Sequence, residues 1–248
     1  MLELKPLDSP FGRAVHGLEI SEGVNRDTCR VLHEALYRHR VLVIKDQTCG
    51  EMPYLEFGRQ WGKPIPHVID THRMLRYPEM LEIGNVTARA KDKLLRNSAA
   101  FWHTDQAYDA DPATTTMLYA RKVPELGGET LVVDMKAAYD DLDAATKQKI
   151  DGLKAKHLYG ATSGRGGEEP TRALNKAQAA ATPPTLHPLV RPHTVTGQKA
   201  LYGVAGTAYG IEGIAADDAD RLISDLKAHC LQDKFICEHK YTVGDVAL

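Results

Sequence analysis

What this chain of 248 residues lacks narrows its possibilities first. No apolar run approaches the roughly 20 residues of a membrane span. The opening stretch, MLELKPLDSPFGRAV, has none of the basic, apolar and small-residue sections of a signal peptide. An excess of charge is missing too: 31 Lys and Arg stand against 33 Asp and Glu, a net charge of −2, with no basic stripe. Neither nucleic acid nor an anionic membrane is therefore expected as a partner, and the expected location is the cytoplasm. Cys29, Cys49, Cys230 and Cys237 contain no C-x-x-C pair, so they suggest neither a zinc site nor a disulfide scaffold, and are expected as buried thiols. Internal repeats and a domain-splitting linker are absent as well, which points to one domain over residues 1–248.

The residues present read as short strands with a few helices. An amphipathic helix is expected at 26–39, with Cys29, Leu32, Ala35 and Leu36 on one face. VLVIK (41–45) is a buried strand, and residues 51–62 form a second helix that ends at Gly62 before Pro64. Thr114–Arg121 and Glu129–Asp134 are strand candidates, and 140–153 is helical. Residues 160–184, rich in Gly, Thr, Ala and Pro, read as a mobile lid or as a plain surface excursion. Strands resume over 186–203, with a hairpin turn at Thr196–Gly197, and a helix at 217–231 buries Ala219, Leu222, Ile223, Leu226 and Cys230. Two further strand pieces meet near Gly244–Asp245. The fold class is α+β, mainly β, built on a sandwich or barrel.

The sharpest chemical signal is Phe101-Trp102-His103-Thr104-Asp105. On an extended backbone, residues two apart project to one face, so His103 and Asp105 would offer an imidazole nitrogen and a carboxylate oxygen to a shared point. Two histidines and one carboxylate on one face of an octahedral ion leave three positions open, as in non-haem iron(II) oxygenases. On spacing alone the triplet is more ordinarily a hydrogen-bonded turn, since 11 histidines make chance pairings common.

WHTDQAY followed by PELGGETLVVDMKAAYDDL (124–142) resembles the taurine dioxygenase and 2,4-dichlorophenoxyacetate dioxygenase family of iron(II)/2-oxoglutarate oxygenases. RHRVLVIKDQ (38–47), FGRQWGKPIPH (57–67) and LHPLVRPHTVTGQKALY (186–202) extend the likeness almost end to end. The resemblance implies a double-stranded β-helix, or jelly roll, with peripheral helices. It makes His103 and Asp105 iron ligands and places Thr130, 27 positions after His103 (130 − 103), against a 2-oxoglutarate carboxylate. By itself Thr130 reads as a strand-start residue packing on a sheet. His67 matches a histidine that contacts substrate, although alone it reads as a surface loop residue. Trp102 and Tyr108 are expected to pack around the site; His187 and His193 receive no metal role, and His239 is a remote substitute ligand at best.

The activity implied is hydroxylation of a small organic acid, such as a sulfonate or aryloxyalkanoate, with 2-oxoglutarate and O2 consumed and succinate and CO2 released. Retention of the Asp105 carboxylate favours hydroxylation over halogenation, because related halogenases lose this group. Asp70 and Ala99 stand where the taurine enzyme has tyrosine and asparagine, which disfavours taurine itself. Family habit implies a homo-oligomer. In the family a distal histidine ligand and a carboxylate-binding arginine follow a strand like GDVAL, whereas this sequence stops at Leu248; the expectation is that it covers a portion of a longer protein. Two alternatives stay open: a non-catalytic binder of small acids, and a cupin-type metalloenzyme independent of 2-oxoglutarate.

Overall fold

Asn25 opens the first long helix, its side chain accepting a hydrogen bond from the Thr28 amide at 2.9 Å. The helix α1 (Arg26–His39) buries Cys29, Leu32, Ala35 and Leu36, the face expected from their spacing. It stops where Arg40 adopts φ 66° and donates its amide to Leu36 O at 2.7 Å. The structure, a computed structural model, describes residues 2–84, 101–160 and 174–248. They fall into two compact units.

The first unit takes Met1–Pro64, Thr114–Asp134 and Leu231–Leu248. Its main sheet joins β1 (Glu3–Pro6), β2 (Arg13–His16), β3 (Leu42–Ile44), β4 (Leu118–Tyr119) and β12 (Val246–Ala247) in the order β1-β2-β3-β12-β4. β2 and β3 run parallel, which demands a crossover, and α1 supplies it. Leu32, Leu36, Leu42, Ile44, Phe57 and Val246 share one core, each contributing roughly 1.5–3 kcal/mol on burial. The second helix, α2 (Glu51–Arg59), ends three residues before Gly62, and the strand expected over Thr114–Arg121 shrinks to Leu118–Tyr119. β5 (Thr130–Val133) pairs antiparallel with β11 (Ile236–His239), placing Thr130 opposite His239.

Gln47, 2% exposed, staples this unit. Its Oε1 accepts from the Ile20 amide at 2.8 Å, while Nε2 donates to Leu18 O and Lys45 O, both at 2.7 Å. Gln47→Ala would strand buried polar groups on all three partners. The expected loss is about 1–3 kcal/mol, read as a lowered urea midpoint at unchanged slope.

The second unit takes Ile65–Ala113 and Met135–Cys230. Here β6 (Lys154–His157) lies between β7 (Thr185–Pro188) and β10 (Ala208–Ile211), antiparallel to both. β8 (Val190–Pro192) and β9 (Lys199–Leu201) form the expected hairpin, whose turn closes with Gly197 at φ 69°. The helix expected over 140–153 is two, α3 (Met135–Asp141) and α4 (Ala144–Ile150). Asp143 caps the second by accepting from the Thr146 amide at 2.7 Å, and this cap outcompetes a continuous helix. Within the segment read as loop, α5 (Lys176–Ala181) forms on an Asn175–Gln178 capping box. The lid expected over 160–184 falls largely on residues 161–173, which lie outside the described residues, as does Ala99. Finally α6 (Ala216–Cys230) buries Ala219, Leu222, Ile223, Leu226 and Cys230 as its periodicity predicts. Among the described residues, no helix is long and apolar enough to cross a membrane.

Candidate functional site

His103 and Asp105 lie in the second unit, in a segment without regular secondary structure. No strand forms here: Asp105 opens two consecutive turns, in which Ala107 N donates to Thr104 O at 3.3 Å and Asp109 N to Gln106 O at 2.8 Å. Gln106 takes a left-handed φ of 54° to permit this. His103 Nε2 lies 3.2 Å from Asp105 Oδ1. Both side chains keep solvent access, at 31% and 46% exposure.

The orientation of His103 is set by its other ring nitrogen. Nδ1 lies 2.7 Å from Phe101 O, the geometry of an Nδ1–H donating to a carbonyl, which leaves Nε2 facing Asp105 Oδ1, to which it donates a proton when no cation lies between them. The Asp105 hydrogen bond raises the His103 pKa, against the lowering effect of burial. Once that proton is displaced, a cation held between Nε2 and Oδ1 meets one neutral nitrogen donor and one anionic oxygen donor. That donor set suits a divalent transition metal such as iron(II), and a cation seated there would replace the shared proton. Among the described residues, no group of three or more His, Cys, Asp and Glu converges on such a point.

The turn segment is anchored near its far end by β7. His187, buried in that strand, brings Nε2 to 2.8 Å from Asp109 O. Tyr108 is buried edge-on against Tyr159, with ring centroids 4.9 Å apart, so it packs as expected.

His67 shares this unit and lies within electrostatic reach of Asp105. Its Nδ1 accepts from the Ile69 amide at 3.1 Å, leaving Nε2 as an N–H donor. His72 stacks on it at 4.9 Å with 28° between the rings, and Tyr159 meets it edge-on at 6.4 Å. Burial depresses the His67 pKa, opposed by the Ile69 carbonyl and more weakly by the Asp105 charge, so the imidazole is held toward its neutral form. Asp70 is exposed and accepts from the Thr71 amide at 2.9 Å.

Thr130 belongs to the first unit, at the start of β5 and half-buried. It neighbours the Tyr241 phenol, whose ionisation is opposed first by burial and favoured by the Thr130 hydroxyl. His239, on the opposite strand, brings Nε2 to 3.0 Å from Asp245 Oδ2, a carboxylate with no solvent exposure. That pairing was not legible in the sequence. Nor was the turn Gly203–Thr207, which packs against His103 and whose only local sign is a pair of glycines three residues apart.

The sequence pattern of the taurine catabolism dioxygenase TauD, TfdA family matches residues 3–248. The alpha-ketoglutarate-dependent 2,4-dichlorophenoxyacetate dioxygenase of Cupriavidus pinatubonensis is 28% identical, over 98% of this chain and 87% of its own length. The (S)-phenoxypropionate/alpha-ketoglutarate-dioxygenase of Sphingobium herbicidovorans is 27% identical, over 99% of this chain and 85% of its own. Among solved structures, AAD-2 in complex with Mn(II) and N-oxalylglycine superposes with a TM-score of 0.78 at 26% identity, covering 100% of this chain and 86% of that one.

Proposed function

The chain belongs to the taurine catabolism dioxygenase TauD, TfdA family, and from that premise we propose that His103 and Asp105 hold the iron(II) with which it hydroxylates a small organic acid. It is a 2-oxoglutarate-dependent dioxygenase, and iron(II), 2-oxoglutarate and O2 are its cofactor and cosubstrates. The observation that carries the assignment of ligands is the convergence of His103 Nε2 and Asp105 Oδ1 at 3.2 Å. Thr130 is assigned to a carboxylate of 2-oxoglutarate and His67 to the acid substrate. A double-stranded β-helix, or jelly roll, forming one domain over residues 1–248 accounts for the many short antiparallel strands. Near-neutral charge supports a partner list without nucleic acid, and we extend the family's homo-oligomeric habit and a cytoplasmic location to this chain.

When bound, iron(II) with 2-oxoglutarate and O2 supplies the oxidation: 2-oxoglutarate loses CO2 and becomes succinate while a substrate C–H becomes C–OH. The chain's own residues do the rest. Phe101 O holds the Nδ1 proton of His103, so that Nε2 is the nitrogen that would bind a cation once its own proton is displaced. Asp105 would contribute negative charge to a cation held there. The Ile69 amide likewise fixes His67, leaving an Nε2–H to donate to an anionic substrate group without adding a second proton.

Candidate substrates are aryloxyalkanoates, sulfonates and sulfate esters, the kinds of acid named for the relatives. Incubation of each with iron(II), 2-oxoglutarate and O2 is expected to release succinate in step with loss of at least one acid. Turnover that persists without 2-oxoglutarate would instead favour a cupin-type metalloenzyme. Removing the donor in His67→Ala is expected to raise KM for the acid about tenfold, worth about 1.4 kcal/mol, with kcat within a few-fold of wild type. An unchanged KM would remove His67 from the substrate site.

A further inference from the structure

The turn Gly203–Thr207 carries two glycines in the left-handed region, at φ 66° and 63° for Gly203 and Gly206. Gly206 lies against the backbone of His103. A methyl group there would fall 2.9 Å from His103 Cβ, 3.1 Å from its Cα and 3.5 Å from Trp102 O. Carbon atoms pack best at about 3.5–4.0 Å, so only a hydrogen fits without moving His103.

The other side of the turn closes around His157. This β6 imidazole is fully buried. Its Nδ1 lies 3.1 Å from Thr207 Oγ1, and a methyl on Gly203 would collide with its Nε2 and Cε1 atoms. Burial, reinforced by the nearby His187, pushes the His157 pKa down to about 4, so it fills the turn as a neutral ring. The turn is also tied to β6 by the Leu158 amide, which donates to Thr207 O at 3.1 Å. One face of this turn is thus fixed on a strand, and the other touches His103.

We propose that the Gly203–Thr207 turn is a positioning element for the candidate metal ligand His103, with Gly206 required as glycine because its bare Cα sets how far His103 reaches. The inference rests on His103 being a metal ligand. Metal sites tolerate ligand displacements of only about 0.5 Å, so a Cβ at residue 206 acts on metal affinity through a contact, not through chemistry of its own.

The test is an anaerobic titration of the whole chain with Co(II) alone, following its visible ligand-field band. Gly206→Ala adds both the Cβ and left-handed strain. Gly206→Asn keeps the Cβ but relieves much of the strain, because asparagine tolerates this region. Gly197, at φ 69° with open space around its Cα, supplies the control: Gly197→Asn imposes the same backbone demand far from any such contact. Expected is a Kd for Co(II) raised about 10- to 100-fold, with a shifted band, in both Gly206 variants and in neither wild type nor Gly197→Asn. Wild-type affinity and band in Gly206→Asn would overturn the proposal. Loss of affinity in Gly197→Asn as well would overturn it too, since strain alone would then explain the effect. Absence of any band in wild type sinks the metal-ligand reading itself, and the proposal with it. If the Gly206 variants do not fold, Thr207→Val unties the turn from His157 without adding bulk. A severalfold weaker Co(II) affinity there supports the proposal, and an unchanged one overturns it.

Discussion

His103→Ala is expected to lower 2-oxoglutarate turnover by about three orders of magnitude, roughly 4 kcal/mol of lost transition-state stabilisation. The side chain is the nitrogen donor of the pair, and its Nε2 is held 3.2 Å from Asp105 Oδ1 by a ring orientation that Phe101 O sets. Asp105→Ala should fall as far, because it removes the anionic donor. Folding should survive both changes: the side chains are 31% and 46% exposed, and surface truncations cost little. The measurement that separates binding from turnover is the visible band formed by iron(II) and 2-oxoglutarate under anaerobic conditions. It should saturate in wild type and vanish in His103→Ala, with an unchanged thermal midpoint for the metal-free protein. A band of wild-type intensity in the variant would move the metal elsewhere.

The second large effect is on stability. Asp245 has no exposed surface, yet its carboxylate meets Lys45 Nζ at 2.6 Å, His239 Nε2 at 3.0 Å, and the amide and hydroxyl of Thr242, each at 2.9 Å. Burial alone would raise its pKa; the hydrogen bonds from His239, Lys45 and Thr242 more than reverse this and hold it far below the usual carboxylate range. Asp245→Ala would leave Lys45, 20% exposed, facing a gap where its counter-charge was. Removing one partner of such a pair costs about 3–5 kcal/mol, a large share of the 5–15 kcal/mol typical of a domain. A drop in the urea midpoint of less than about 1 kcal/mol equivalent would show that water reaches the pair and compensates for its loss.

The same group fixes a pH dependence. Because the folded pKa lies below the unfolded one, the stabilisation is complete above about pH 3.9, the unfolded value, and drains away as pH falls toward the folded one. Wild type should therefore lose stability more steeply below pH 4 than Asp245→Asn, which has no such proton to take up. Parallel acid titrations of the two would contradict that sign.

The elements that were legible in the sequence are those whose signal is local. Cys29, Leu32, Ala35 and Leu36 recur at the helical period, as do Ala219, Leu222, Ile223, Leu226 and Cys230, and both faces are buried as read. The hairpin at Gly197 announced itself through its turn residues. Where two local signals competed, the reading failed: the apolar pattern across 140–153 hid Asp143, whose cap divides the helix. His103 and Asp105 were legible as a motif, and their side chains do meet, although no strand carries them. What was not legible is the turn that follows at once, through Gln106 at φ 54°.

What the sequence determined by itself, then, is the set of donor types, their spacing and the helices around them, because these follow from side-chain chemistry and backbone periods within a few residues. The tertiary structure alone decided that Gly206 backs His103, that His157 fills the turn behind it, and that Asp245 meets Lys45 and His239 out of water. Each of these is a contact between residues distant in the chain. No short-range pattern encodes such a contact, because close packing and the exclusion of water exist only once the chain has folded.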